Sequence, residues 1–151
     1  MPAAWAGGIR YFDVAPHYGL GLAERRLGES LRQLPRDEYI VSTKVGRLLV
    51  PQDAAGRTDI DNLFDVPADH RRVQDYSRDG VLRSIEQSLE RLGLDRIDIA
   101  LVHDPDAHER EALEGAFPAL SELRDQGVIT SFGAGMNQSC LLYTSPSPRD
   151  S

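Results

Sequence analysis

The sequence predicts an α/β fold, a parallel sheet covered by helices. Three observations carry that reading. Four short runs rich in Ile, Val, Tyr and Phe alternate along the chain with three stretches of helical period. Each β-rich run is four to eight residues long, the ordinary length of a strand. Strand, helix, strand repeated three times requires crossover connections, which are right-handed and leave neighbouring strands parallel.

The first strand is expected over Ile9–Ala15 (IRYFDVA), apolar and β-branched until it reaches Asp13. Ala23, Leu27, Leu31 and Leu34 then recur at helical spacing and form one buried stripe. The second strand is expected over Glu38–Lys44. Residues 48–77 hold no sustained period and contain six aspartates, two prolines and one glycine, which predicts a long loop. Connections beyond roughly 12–15 residues in a compact domain are often functional lids, and this one leaves the C-terminal end of a strand. A lid over a pocket is therefore expected; the alternative is a solvated insertion with no role, since surface loops tolerate growth. Leu82, Ile85, Leu89 and Leu92 form the second helical stripe, Arg96–Val102 the third strand, Leu113, Ala116, Phe117, Leu120 and Leu123 the third stripe, and Ile129–Ala134 the fourth strand.

Four parallel strands fit an open doubly wound sheet or a (β/α)₈ barrel, and periodicity leaves both open. A doubly wound dinucleotide fold carries G-x-G-x-x-G in its first turn. Here Gly19-Leu20-Gly21 is followed by Leu22, Ala23 and Glu24, so the fingerprint fails. A barrel runs to about 250 residues, of which this chain would hold about half.

Composition narrows the function classes. The chain has 151 residues, 40% hydrophobic and 27% charged, which describes a globular domain with one core. A net charge of −7 and a pI near 5.0 argue against binding to nucleic acid, which needs a cationic face to displace counterions. No apolar run approaches the roughly 18 residues that span a bilayer, and the N-terminus has no charged-then-apolar signal, so a cytoplasmic protein without membrane contact is expected. Cys140 is the one cysteine, which agrees with a reducing compartment. The N-glycosylation pattern Asn137-Gln138-Ser139 is read as chance in the absence of a secretory signal.

Asp13, Lys44 and His103 each lie at or next to the C-terminal end of a different predicted strand. Adjacent strands are about 4.8 Å apart, so three such positions on one edge converge on a common pocket, and barrel active sites occupy that face. Singly, each has a structural explanation: Asp13 as an Asx-turn acceptor, Lys44 as a snorkelling cation, His103 as a satisfied ring and Tyr18 as loop packing. Together they fit one chemistry. A tyrosine hydroxyl is too weak an acid to shuttle protons at neutral pH unless a cation favours its phenolate. Lys44 would supply the cation and Asp13 would keep the lysine charged. His103 would donate a hydrogen bond to a substrate oxygen and orient a carbonyl or hydroxyl for hydride transfer from or to a nicotinamide.

The stretches YFDVAPHYG, IVSTKVGR and RIDIALVHDPD resemble, in order and spacing, three signature stretches of the aldo-keto reductases. GIRYFDVAPHYGLGLAERRLGESL and DYSRDGVLRSIEQSLERLGLDRIDI resemble the aldose 1-dehydrogenase branch, which includes D-threo-aldose and L-fucose dehydrogenases. The resemblance covers residues 4–138. It implies a partial (β/α)₈ TIM barrel, about half of one, with four parallel strands and three crossover helices. It implies NADP or NAD bound without a Rossmann fold, and a small sugar or carbonyl substrate. It also implies a catalytic tetrad of Asp13, Tyr18, Lys44 and His103, in which Tyr18 is the proton donor or acceptor. Asp13, Asn137 and Gln138 would contact the cofactor. Many members end the fifth barrel strand in a Ser-Asn pair that holds the nicotinamide carboxamide; here Gly135 and Met136 stand at those places and Asn137 would substitute. The first strand and everything after the fifth are expected to lie outside this sequence.

The last stretch, CLLYTSPSPRDS, breaks the family pattern at once and back-translates into the mosaic end and flank of a transposase-based sequencing adapter. The expected organisation is therefore a partial aldo-keto reductase domain over 1–139 and a non-native adapter-derived tail over 140–151; a disordered Ser/Pro-rich tail is the alternative. A half barrel has unpaired edges, so the isolated chain is expected to fold poorly and lack activity. Two other classes fit parts of the sequence less well. A non-catalytic binding or regulatory subunit of the same family is disfavoured by the intact tetrad. A metal-dependent hydrolase, prompted by His103, Asp104, Asp106 and His108, lacks a His-x-His at a strand end, and Asp106 and His108 are expected to solvate and cap a helix beginning near Glu109.

Overall fold

Side chains alternate across each strand, and this sorting gives the sheet one face for the core and one for chemistry. The computed structural model describes residues 2–136. Its strands are β1 (Tyr11–Asp13), β2 (Ile40–Val45), β3 (Arg47–Pro51), β4 (His70–Gln74), β5 (Ile99–His103) and β6 (Ser131–Gly135). Its helices are α1 (Pro2–Ala6), α2 (Leu22–Leu31), α3 (Arg78–Leu92), α4 (Glu109–Glu111) and α5 (Phe117–Asp125). The main sheet runs β1-β2-β5-β6, all parallel, with Asp13 opposite Ser42, Lys44 opposite Leu101 and His103 opposite Gly135. This is the α/β arrangement of a partial barrel: α2, α3 and α5 each link two neighbouring strands.

One face of the sheet is apolar. Phe12, Val41, Val45, Ala100 and Val102 are buried there and join a single core with Leu31, Val81, Ile85, Leu92 and Leu120 from the helices. Each buried aliphatic side chain contributes about 1.5–3 kcal/mol. A polar pin runs through this layer. Glu24 of α2 is fully buried; Thr43 donates to it at 2.7 Å and Arg91 of α3 at 2.6 Å. These partners offset the cost of burying the carboxylate. Gly28 permits the close crossing of α2 and α3, because a Cβ there would lie 2.0 Å from the Leu92 carbonyl oxygen.

The structure differs from the sequence expectation in four places. Residues 48–77 are not a structureless loop: β3 and β4 pair antiparallel, with Leu48 opposite Val73, and Thr58 bridges Pro67. Second, α2 ends at Leu31, and Leu34 packs on the core from the following turn. Third, the helix after β5 widens into a π turn over Ala112–Ala116. Pro118 lacks an N–H and its ring would clash with the carbonyl four residues back, and the wider turn accommodates both defects. The shift turns Leu113 outward, 41% exposed, and buries Ala112 instead. Fourth, His108 stands at the N-cap of α4 without a side-chain cap bond, and its ring stacks on Tyr76.

Candidate active site

The second face of the sheet is polar at its C-terminal edge. Asp13 is the last residue of β1, Lys44 the penultimate residue of β2 and His103 the last of β5. Tyr18 reaches the same place from the turn after β1, which is pinned by Tyr18 N–H to the Ala15 carbonyl at 3.2 Å and Gly21 N–H to the Pro16 carbonyl at 2.8 Å. All four predicted tetrad residues line one open cleft of about 560 Å³.

Lys44 is buried and Asp13 is 39% exposed at the cleft. Lys44 Nζ donates to Asp13 Oδ2 at 2.6 Å and to the Val14 carbonyl at 3.1 Å. A lysine ammonium has three donors, so one remains for a group in the cleft. The same Nζ lies 5.0 Å from the centroid of the Tyr18 ring. Ser42, wholly buried two residues before Lys44, donates to Asp13 Oδ1 at 2.5 Å. Its only proton is thereby used, so the 2.9 Å contact between Tyr11 and Ser42 is donated by the Tyr11 hydroxyl.

His103 closes the other side, its ring edge-on to Tyr18 with centroids 6.1 Å apart. Burial, aided by the positive charges of Arg47 and Lys44, pushes its pKa from 6.5 to about 3, so the ring is neutral at physiological pH. Asp104 stands 3.6 Å from His103 Nε2 and is paired with Arg47 at 2.7 Å. Burial and the Arg72 charge lower the pKa of His17 as well. Sequence reasoning missed Ser42, Tyr11 and His17, and raised Asp104 only as a metal candidate. The signal for the first two was present: Tyr11 and Asp13, like Ser42 and Lys44, are two apart on a strand and therefore share a face. Among the described residues no three His, Cys, Asp or Glu side chains form a metal-holding group. Asn137, Gln138 and the 140–151 tail lie outside the described residues.

A parallel sheet with crossover helices, carrying a Lys-Asp pair, a tyrosine and a neutral histidine at its strand ends, defines a barrel-type α/β protein with a cleft of ionisable groups. The aldo/keto reductase family model matches residues 1–139, and the chain belongs to that family of oxidoreductases. It is 53% identical over 138 residues to a D-threo-aldose 1-dehydrogenase of Pseudomonas sp, covering 89% of this chain and 42% of the relative. It is 44% identical to a pyridoxal 4-dehydrogenase of Microbacterium luteolum, covering 91% and 45%. Among solved structures it superposes on a glycerol dehydrogenase of Gluconobacter oxydans with a TM-score of 0.71 at 25% identity, covering 94% of this chain and 38% of that one. The chain thus spans less than half the length of these relatives.

Enzymes of this family use nicotinamide cofactors, and the cleft fits one. Its floor is Leu101 and Gly135, where a Cβ on Gly135 would come within 3.2 Å of Lys44 Cε and narrow the space. Glycine there leaves a flat, partly apolar surface beside the charged group, suited to a planar ring with a polar substituent.

Proposed function

We propose that this chain carries the proton-transfer half of an NAD- or NADP-dependent oxidoreductase that oxidises an aldose, or interconverts a related small carbonyl and hydroxyl compound. Leu101, Gly135 and Asp13, together with Asn137 and Gln138, would hold the nicotinamide, which would supply or accept the hydride. The protein's own side chains handle the proton. In the oxidative direction the Tyr18 phenolate accepts the proton from the substrate hydroxyl as its carbon loses hydride; in reverse the hydroxyl returns it. The Lys44 ammonium stabilises the phenolate, and the Asp13 carboxylate keeps that ammonium charged in a buried position. Neutral His103 donates one N–H to the substrate oxygen and fixes its direction. The −7 net charge suits work on small soluble metabolites in the cytoplasm better than on nucleic acid or membranes.

The observation that carries this reading is the buried Lys44, ion-paired to Asp13 and 5.0 Å from the Tyr18 ring. The test is nicotinamide absorbance of the complete gene product with aldoses, against Tyr18→Phe, which removes only the hydroxyl. The variant should lose about 10²–10⁴-fold in kcat; an unchanged kcat would overturn the assignment. The outer strands of the described sheet, β1 and β6, each have an open edge. The 151-residue chain alone should therefore self-associate and show no activity. A cooperative melt of a monodisperse monomer would contradict that.

A further inference from the structure

The excursion between β2 and α3 is fastened to the turn that carries Tyr18. Arg72 of β4 donates to both carboxylate oxygens of Asp59, at 2.8 and 2.5 Å, and to the His17 carbonyl at 2.9 Å. Both side chains are largely removed from solvent, 16% and 6% exposed, so the pair is not a loose surface contact. The result is a placed aromatic ring. Phe64, half-buried, lies edge-on to His17 at 5.5 Å and tilted against Tyr18 at 6.4 Å, with the Arg72 guanidinium 6.0 Å from its centroid. Leu63, just before it, takes the left-handed conformation at φ 68° and is 89% exposed. The chain thus accepts strain and an exposed leucine at the position that turns Phe64 inward.

We propose that Phe64 is a specificity-determining residue of the substrate pocket and that Arg72 is the positioning residue that puts it there. This rests on the oxidoreductase reading above. Tyr18 and His103 would meet the reacting end of the substrate, and Phe64 packs against Tyr18 and His17, two residues that line the cleft. It would therefore contact carbons remote from the reacting one. Long substrates reach it and three-carbon ones do not, so the excursion selects for five- and six-carbon aldoses.

The experiment has two arms, both on the complete gene product. In the kinetic arm, Phe64→Ala should raise KM for pentoses and hexoses roughly tenfold while changing KM for glyceraldehyde far less. Arg72→Met should reproduce that pattern, and Arg72→Lys should restore part of it. In the structural arm, limited proteolysis should cut Arg72→Met within residues 55–66 faster than the parent, with the thermal midpoint of the barrel little moved. Equal effects of Phe64→Ala on long and short substrates would overturn the pocket assignment. Unchanged proteolysis in Arg72→Met would overturn the clamp. A parent protein inactive on every aldose with either nicotinamide would overturn the oxidoreductase reading and the substrate contact together, while the clamp still stands or falls on proteolysis.

Discussion

Two regions meet at the cleft and are held by opposite means. The strand-end cluster of Asp13, Ser42 and Lys44 sits on a continuous hydrogen-bonded ladder, where register alone brings the groups together: Asp13 is opposite Ser42, and Lys44 follows two residues on. The excursion has only a two-stranded ribbon, β3-β4, and reaches the cleft through the Arg47–Asp104 ion pair, the Arg72 bond to the His17 carbonyl and a few ring contacts. Isolated two-stranded ribbons are marginal in water. The strand-end groups therefore take their placement from the sheet, and the tip of the excursion takes its own from Arg72.

This contrast can be sharpened by substitution. Lys44→Met should have the largest effect, about 10²–10³-fold in kcat, because it removes the cation beside Tyr18 and leaves the Asp13 charge unpaired. A loss under tenfold, measured by steady-state kinetics, would separate Lys44 from the chemistry. Next, Arg91→Met strands the buried Glu24 carboxylate and should cost about 3–5 kcal/mol in urea unfolding. Acid comes third. The folded state holds His103 at about 3 against 6.5 for a free ring, so between these values the unfolded chain binds the proton and the folded one does not. Stability should be full above pH 6.5, decline by an order of a few kcal/mol as pH falls toward 3, and lose nothing more to this residue below it. A flat stability curve between pH 6.5 and 4 would show that His103 is solvated. Smallest is Asp59→Asn, which should lower global stability by only about 1 kcal/mol yet speed amide exchange across β4. Equal effects on β4 and β2 would erase the distinction between the two regions.

The same contrast explains what could be read from the chain. Asp13, Lys44 and His103 were legible because each closes an apolar run, and strand ends on one edge of a parallel sheet must converge. The hairpin was hidden because β4 is HRRVQ, polar but for Val73, with no apolar alternation to mark it. α1 is five residues long, too short to show a period. The Leu113 stripe failed because Pro118 inserts a π turn, and a 3.6-residue template cannot follow that slip. The burial of Glu24 left no local signal, since its partners Thr43 and Arg91 are 19 and 67 residues away in sequence.

One detail of the cleft sets the direction in which protons can move. From Tyr11 to Ser42 to Asp13, and from Lys44 to Asp13, every hydrogen bond points toward the same carboxylate. Such a chain is a sink, not a conduit: it ends on an anion with nothing to pass on. Relay through it would require first protonating Asp13 and breaking the Lys44 pair. A proton exchanged at the Tyr18 hydroxyl, as proposed above, would therefore enter and leave by the open cleft rather than through Asp13, and its traffic would be subject to whatever occupies that cleft.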